Sequence, residues 1–329
     1  MSTQVTLDKS NTELIGSPWP HRWAWLLACC VFPLIWIGGL VTTYEAGMSV
    51  PDWPTTYGHW FYPLQSWLWK FNDLFLEHSH RTVGQIVGII AIILLISVWR
   101  RDQRNSVRWL AVAILAGIIL QGVLGGLRVV MDERLLARIH GCTASLVFGL
   151  CTTMSAVTSK TWRRGDNIFY YHSARIVQLS ALSVSFGLYA EIVLGAQLRH
   201  PLPDASPYWF ILFVWCKVII AGLLTAVILY LLIHILHKLR EMTVLVRRAK
   251  ILGALFLLQL LLAGCTWVTN FGWPKWFTSN VMALHYTVIE AGRMQVWMTT
   301  AHAAVGALCF VAALSVTLWS FRLLRGPQQ

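Results

Sequence analysis

Eight uninterrupted apolar stretches dominate the sequence, and each is about as long as a bilayer core is thick. They lie near 23–43, 80–99, 107–127, 136–157, 175–197, 209–236, 249–269 and 296–321. A hydrocarbon core of about 30 Å requires roughly 20 apolar residues in a helix, and a helix satisfies its own backbone hydrogen bonds in lipid. The period-two alternation of a membrane barrel is absent. We therefore predict an all-α integral membrane protein with eight transmembrane helices.

Basic residues concentrate in alternate loops between these stretches, and this pattern sets the expected orientation. The formal net charge of +12 would suggest nucleic-acid binding in a soluble chain. In this chain the position of the positive charge decides its meaning, because it lies in alternate loops and in the C-terminal tail. These basic residues are Arg100, Arg101, Arg104, Arg108, Lys160, Arg163, Arg164, Lys238, Arg240, Arg247, Arg248, Lys250, Arg322 and Arg325. The positive-inside rule therefore predicts a multi-pass protein of the cell inner (plasma) membrane with both termini cytoplasmic, and no nucleic acid as partner.

The expected organisation is two four-helix bundles with short polar segments around them. A cytoplasmic tail at 1–22 shows no small-residue cleavage site, which argues against a cleaved signal. It precedes an N-terminal bundle at 23–157, a basic cytoplasmic linker at 158–174, a C-terminal bundle at 175–321 and a second tail at 322–329. The seven cysteines fall within the apolar stretches without metal-binding spacing, so we expect them to pack as small apolar residues.

An internal repeat supports the division into two bundles. The outward-going stretches share a polar residue followed, four positions later, by a small one: Gln121 with Gly125, Glu191 with Gly195, and Gln259 with Ala263. The inward-going stretches share a histidine followed, four positions later, by a small residue: His80 with Gly84, His140 with Ala144, and His302 with Gly306. Duplicated membrane bundles place their sites at equivalent points of each half.

The histidine spacing indicates a site for a large, flat ligand. Residues i and i+4 share one helix face, so a small residue beside an imidazole leaves room for a planar group. Helix bundles commonly hold haem through histidines on facing helices. A single histidine inside a membrane is about as often a packing residue as a ligand, but three at matching depth favour ligation.

Charged neighbours of His80 extend this candidate site. Glu77 precedes His80 by three residues and shares its face, whereas His78 points about 200° away around the helix. The plain alternative for Glu77 is a carboxylate that favours the helix dipole. Arg81 and Arg128 are either interfacial anchors or contacts for haem propionates, which suit a guanidinium fork.

Taken in order, four motifs of the sequence resemble the haem A synthase family, over nearly the whole chain. The first is "GGLVTTYEAGMSVPDWPTTYG" at 38–58, with its Pro-Asp-Trp-Pro. The others are "EHSHR" with Glu77, His80 and Arg81, "IHGCTA" with His140, and "TAHAAVGA" with His302. Members of this family are membrane enzymes that oxidise the C8 methyl of haem O to the formyl of haem A.

The resemblance implies two pseudo-twofold-related bundles with different haem pockets. His80 and His140 would hold the iron of the substrate haem O, His302 would hold the cofactor haem B, and Glu77 would take part in the oxidation. Water is the oxygen source that the family chemistry implies, and a carboxylate can accept the proton. Haem O synthase and cytochrome c oxidase assembly are the implied partners, besides the lipid bilayer, and a homo-oligomer is left open.

The sequence departs from the family pattern in the sixth stretch, where the family carries a fourth histidine. Here "FILFVWCKVIIAG" offers Cys216 or Lys217 instead. The second ligand of haem B is therefore open between Cys216, Lys217 and a loop histidine, His285 or His200; alternatively His302 binds alone or the haem is absent. The "YEAGMSVPDWP" segment also lacks the cysteines that some members carry. Glu191 is expected either to relay protons toward the second haem or to be protonated and hydrogen-bonded to a neighbouring helix, since burial favours the neutral acid.

Two other classes of function compete with the enzyme. The nearer rival is a bis-histidine membrane b-type cytochrome that only transfers electrons, and the other is a transporter, suggested by the duplication alone. Glu77 favours the enzyme, since electron transfer needs ligands but no carboxylate at the edge of the haem. Clustering of the site residues near the outer membrane face argues against a transporter, whose site lies near the midplane.

Overall fold

Eight long helices make up most of the part of the chain that the structure describes, as the sequence predicts. A computed structural model describes residues 17–60, 62–69, 71–131, 133–164, 168–200, 206–281 and 286–326. The helices, which we call α1 to α8, are Trp19–Thr43, Asp73–Arg101, Asn105–Met131, Arg134–Thr158, Ala174–Arg199, Pro207–Lys238, Thr243–Phe271 and Arg293–Leu323. All eight are long and apolar enough to cross a membrane, which confirms the all-α prediction.

Several helices extend beyond the apolar stretches, and the extension of α2 matters most for the site. This helix begins at Asp73 rather than near residue 80, because the Asn72 side chain caps it by accepting a hydrogen bond from the Phe75 N–H at 2.9 Å. Glu77 and His80 consequently lie within the first turns of the helix. At the start of the chain, α1 begins at Trp19 with Pro20 in its first turn, where a missing N–H costs nothing.

Each half of the chain packs as a closed ring of four helices. In the first half α1 contacts α2 and α4, and α3 contacts α2 and α4. The second half repeats these contacts, with α5 against α6 and α8, and α7 against α6 and α8. The halves meet through α1 and α4 against α8, and α4 against α5, so α8 is the most buried helix of the eight. The residue limits of the two bundles remain predictions.

The basic end of the molecule is held together by ion pairs and a short sheet. Asp102, just after α2, accepts hydrogen bonds from Arg104 at 2.7 Å and from Arg163 at 3.0 Å. Arg163 lies in a one-turn helix, Lys160–Arg164, inside the linker. Two strands of two residues each, Phe169–Tyr170 and Leu324–Arg325, then pair in parallel. The linker and the end of α8 are therefore packed together rather than separate.

The loop between α1 and α2 folds over the opposite end of the first bundle. Its turn is built on Asp52, which accepts hydrogen bonds from the Thr55 hydroxyl, from the Tyr57 N–H at 2.7 Å and from the Gly58 N–H at 2.9 Å. Burial alone would raise the pKa of Asp52, but these hydrogen bonds lower it to about 2. The Asp52 carboxylate is therefore ionised at neutral pH and is hydrogen-bonded within its own turn.

Candidate functional site

One large cavity of about 1310 Å³ connects the two halves of the molecule. This volume exceeds the usual 300–1,000 Å³ or so of a small-molecule site, so the cavity has room for a large ligand. The residues predicted from sequence that line it are Glu77, His80, Arg81, Arg128, His140, Glu191, Lys217 and His302. Small residues that adjoin the histidines, Gly84, Ala144 and Gly306, line it as well.

In the first half, His80 of α2 and His140 of α4 face each other across the cavity. Their ring centroids are 6.4 Å apart and their planes are inclined by 81°. Metal–nitrogen bonds to histidine are about 2.0–2.1 Å, so an ion shared by two imidazoles separates their centroids by roughly 6 Å. The observed separation fits a pair of axial ligands to one iron.

Glycines on the neighbouring helices make room for both imidazoles. A Cβ atom on Gly38 would lie 2.8 Å from Cε1 of His80, and one on Gly125 would lie 3.2 Å from Cε1 of His140. A Cβ on Gly38 would displace the His80 ring, and one on Gly125 would require the His140 ring to move by a few tenths of an ångström. Gly125 of the repeat therefore makes room for a histidine of the adjacent helix, whereas a Cβ on Gly84, in the same helix as His80, would meet no atom within 4 Å.

The buried nitrogens of these rings are left without hydrogen-bond partners. Nδ1 of His80, of His140 and of His302 has no partner among the described residues. The backbone carbonyls of Leu34, Gln121 and Gln259 lie near these rings and act on them electrostatically, without forming a hydrogen bond of normal geometry to Nδ1. A metal-binding histidine commonly directs its second nitrogen to a carbonyl, which fixes the ring and leaves the other nitrogen for the metal. The same surroundings at three sites fit three haem ligands.

Glu77 lines the cavity, but both of its carboxylate oxygens are already engaged. Oε1 accepts from Arg81 at 2.6 Å and Oε2 accepts from the Val50 N–H at 2.9 Å, with the side chain only 3% exposed. Each carboxylate oxygen has two acceptor positions, so Glu77 can still accept from a group in the cavity. The carboxylate therefore joins the loop between α1 and α2 to the part of the cavity near His80.

The two arginines predicted as propionate contacts have different surroundings. Arg81 donates to the carbonyls of Val50, Asp52 and Thr55 at 2.7–3.0 Å as well as to Glu77, so it holds the loop between α1 and α2 on α2. The Arg128 guanidinium lines the cavity beside Gly47 and has no hydrogen-bond partner among the residues that the structure describes. The Arg128 guanidinium is therefore more available than that of Arg81 to bind an anionic group of a ligand. The roles of Arg81 and Arg128 as propionate contacts remain predictions.

The loop also contacts α3 at a position that sequence reasoning did not identify. The Trp53 ring packs directly on Gly126, where a Cβ would lie 2.2 Å from the indole. His78 faces the same loop: its Nδ1 lies 3.2 Å from Thr56 Oγ1 and its ring packs edge-on against Trp67. The loop is therefore fixed to α2 and α3 together, and its residues Trp53, Thr56 and Trp67 line the cavity at this end.

A second cluster that the sequence did not reveal joins the two halves. Arg199 donates to the Gly39 carbonyl at 3.0 Å and to the Thr43 hydroxyl, and Arg138 donates to the His200 carbonyl at 2.6 Å. Burial, followed by the charges of Arg199 and the nearby arginines, lowers the pKa of His200 to about 4. His200 is neutral at physiological pH and lies near His140 rather than near His302. The sequence had suggested His200 as a loop ligand of haem B, three residues after the predicted stretch 175–197, but it gave no sign of the surrounding arginines.

The second half has an ion pair where a fourth histidine was sought. Lys217 lines the cavity and donates to Glu191 Oε2 at 2.8 Å and to the Glu191 carbonyl at 3.0 Å. Cys216 is not among the described residues that line the cavity, and His285 lies outside the described residues. Glu191 therefore does bond to a neighbouring helix, as one of the two alternatives proposed, but through an ion pair.

Comparison with known proteins places the sequence in context. The model of the COX15-CtaA family, described as cytochrome oxidase assembly protein, matches residues 21–202, which is more than half of the chain. The chain is also similar to several proteins named "Heme A synthase". It is 30% identical to that of Geobacillus kaustophilus over 203 residues, 56% of this chain and 59% of the relative.

Two further relatives carry the same name. The identity is 29% over 172 residues to the protein of Beijerinckia indica, with 42% of this chain and 47% of the relative covered. It is 24% over 135 residues to that of Hyphomonas neptunium, with 34% and 38% covered. The chain thus spans between 38% and 59% of the length of these three relatives. From the family match and the helical fold together, this chain belongs to the COX15-CtaA family of cytochrome oxidase assembly proteins.

Proposed function

We propose that this protein is a haem A synthase, which oxidises the C8 methyl group of haem O to a formyl group. The observation that carries the proposal is the His80–His140 pair, 6.4 Å apart, in one cavity with a buried carboxylate one turn away on the same helix. Relatives named for this activity and the family match support it. In this proposal the two histidines hold the iron of the substrate.

The oxidation has a simple balance in which water is the oxygen source. A methyl group and one water give a formyl group, four protons and four electrons, in successive two-electron steps. An external acceptor takes the electrons, and a base near the reacting carbon takes protons. Glu77 is the base we propose, because it lines the cavity while Arg81 and the Val50 N–H hold it in one orientation.

The remaining residues of the cavity position the substrate and the cofactor. Arg128, which has no hydrogen-bond partner among the described residues, would bind a propionate of the substrate haem with its guanidinium fork. His302 would bind haem B in the second half, and when bound that haem supplies a route for electrons. We further propose that the protein lies in the inner membrane with the basic helix ends in the cytoplasm and the site toward the outer face. Haem O synthase and the assembly of cytochrome c oxidase are the partners we propose.

The direct test of the catalytic role is Glu77→Gln, because an amide keeps an acceptor for the Val50 N–H while it removes the charge. We expect membranes that supply haem O to retain substrate binding but to lose conversion by at least about 10²-fold, the lower end for a general base. Glu133→Gln is the matched control, since that carboxylate is exposed at the same end of the molecule. Unimpaired production of haem A by Glu77→Gln would remove Glu77 from the mechanism.

A further inference from the structure

Four equivalent helix pairs contribute a side chain to the cavity, and three of these side chains are imidazoles. We call residues 80, 140, 217 and 302 the ligand positions and residues 34, 121, 191 and 259 the carbonyl positions. In the pairs α1–α2, α3–α4 and α7–α8, a histidine at the ligand position lies near the backbone carbonyl at the carbonyl position. The pair α5–α6 has Lys217 at the ligand position, and its Nζ donates to the carbonyl of Glu191.

The glycines confirm that Lys217, and not Cys216, occupies the fourth ligand position. Gly38 packs on His80 and Gly125 packs on His140. The corresponding glycine of α5, Gly195, has Lys217 Nζ as the nearest atom to its Cβ position, at 3.6 Å. The side chains at three of the carbonyl positions also have equivalent surroundings. Oε1 of Gln121, of Glu191 and of Gln259 is in each case buried without a partner among the described residues.

The ion pair prevents Lys217 from acting as an iron ligand. Its ammonium group donates to both the carboxylate and the carbonyl of Glu191, so its hydrogen bonds are directed toward α5. A protonated amine has no lone pair to offer to a metal. The side chains are only 21% and 17% exposed, so solvent competes little with the pair. Breaking such a pair leaves an unpaired charge in the cavity, which is costly.

Building on the proposed function, we infer that the C-terminal pocket holds its haem through His302 alone and that the Lys217–Glu191 ion pair covers the opposite position. The two haems of the protein therefore differ in coordination. The substrate iron has two histidines and is low-spin, whereas the second iron has one protein ligand and an open coordination position. This open position accepts a small neutral ligand such as carbon monoxide when the iron is ferrous, and an anion such as cyanide when it is ferric.

The test measures spin state and ligand binding on the purified holoprotein. We expect one high-spin haem per chain that binds carbon monoxide, beside one low-spin haem that does not. His302→Ala should remove the high-spin signal and leave the low-spin one. Lys217→His combined with Glu191→Gln, which recreates the arrangement of Gln121 and His140, should convert the high-spin haem to low-spin and reduce carbon monoxide binding from about one per chain to near zero.

Cys216→Ala is the matched control, because it alters the neighbouring residue and should leave both spectra unchanged. A wild-type protein with two low-spin haems and no carbon monoxide binding would overturn the inference, as would a high-spin signal that survives His302→Ala or is lost in Cys216→Ala. These outcomes are distinct from failure of the proposed function. The proposed function fails when the low-spin signal is insensitive to His80→Ala and His140→Ala, or when Glu77→Gln still produces haem A.

Discussion

Arg81→Ala is the change whose effect can be worked out most fully from the structure. The guanidinium of Arg81 joins α2 to the loop by three hydrogen bonds to backbone carbonyls, and it neutralises Glu77 at 2.6 Å. Alanine removes all four contacts at once. It also leaves Glu77, which is 3% exposed, as a buried carboxylate without its ion-pair partner.

The expected cost follows from these contacts. Hydrogen bonds from charged donors contribute about 1.5–3 kcal/mol each, although carbonyls freed in a loop at the end of the bundle regain much of this from water. Leaving one partner of a buried ion pair uncompensated costs about 3–5 kcal/mol. We therefore expect the closed state of the loop to lose about 3–5 kcal/mol, which is an increase of roughly 10²- to 4 × 10³-fold in the population of its open state.

Hydrogen–deuterium exchange of residues 50–58 measures this population in the detergent-solubilised protein. The Val50 N–H reports directly, because it donates to Glu77, and the Tyr57 and Gly58 amides report on the turn. Arg100→Ala at the exposed opposite end of α2 is the control. Adding Glu77→Gln to Arg81→Ala should recover part of the loss by removing the unpaired charge. Unchanged exchange at 50–58 in Arg81→Ala would refute the reasoning.

Three further predictions concern the glycine contacts, the arginine cluster and the basic end. Gly38→Ala should weaken haem binding at His80 at least tenfold in a titration, because the added methyl group occupies the position of the ring; Gly222→Ala, with open space around it, should not. Folding lowers the pKa of His200 from 6.5 to about 4. Between pH 6.5 and about pH 4 the His200 imidazole is therefore protonated in the unfolded chain but not in the folded protein. Thermal stability should therefore fall as the pH is lowered from about 6.5 to about 4, and His200→Gln should flatten that part of the profile. Asp102→Asn should lower the free energy of unfolding by about 2–3 kcal/mol in a denaturant titration, less than a fully buried pair because Arg104 is partly exposed.

The sequence was sufficient for those features that depend on periodicity. Helix number and approximate position followed from apolar length, and the histidine motif correctly identified residues that line one cavity, because i and i+4 share a helix face wherever the helix packs. The start of α2 was missed, since its cap is a single Asn72 ahead of polar residues that a hydropathy criterion excludes.

Contacts between distant segments could not be derived in this way. The partners of Arg81 are backbone carbonyls some 30 residues earlier, and the closeness of Trp53 to Gly126 depends on how the loop folds back over α3. The sequence did not predict the Lys217–Glu191 ion pair either, although it marked both residues as departures from the repeat. Only the packing of α5 on α6 shows that the positive charge of Lys217 balances the negative charge of Glu191.

The measurement that tests the central claim most directly is extraction of haem from the purified protein, followed by identification of each haem by mass. If His80 and His140 hold a substrate that Glu77 helps to oxidise, the extract contains haem O, its hydroxylated form or haem A, together with haem B. In the Glu77→Gln variant, the haem extracted besides haem B should be haem O alone. Haem B as the single species, at two equivalents per chain, would contradict the account and favour an electron-transferring membrane cytochrome.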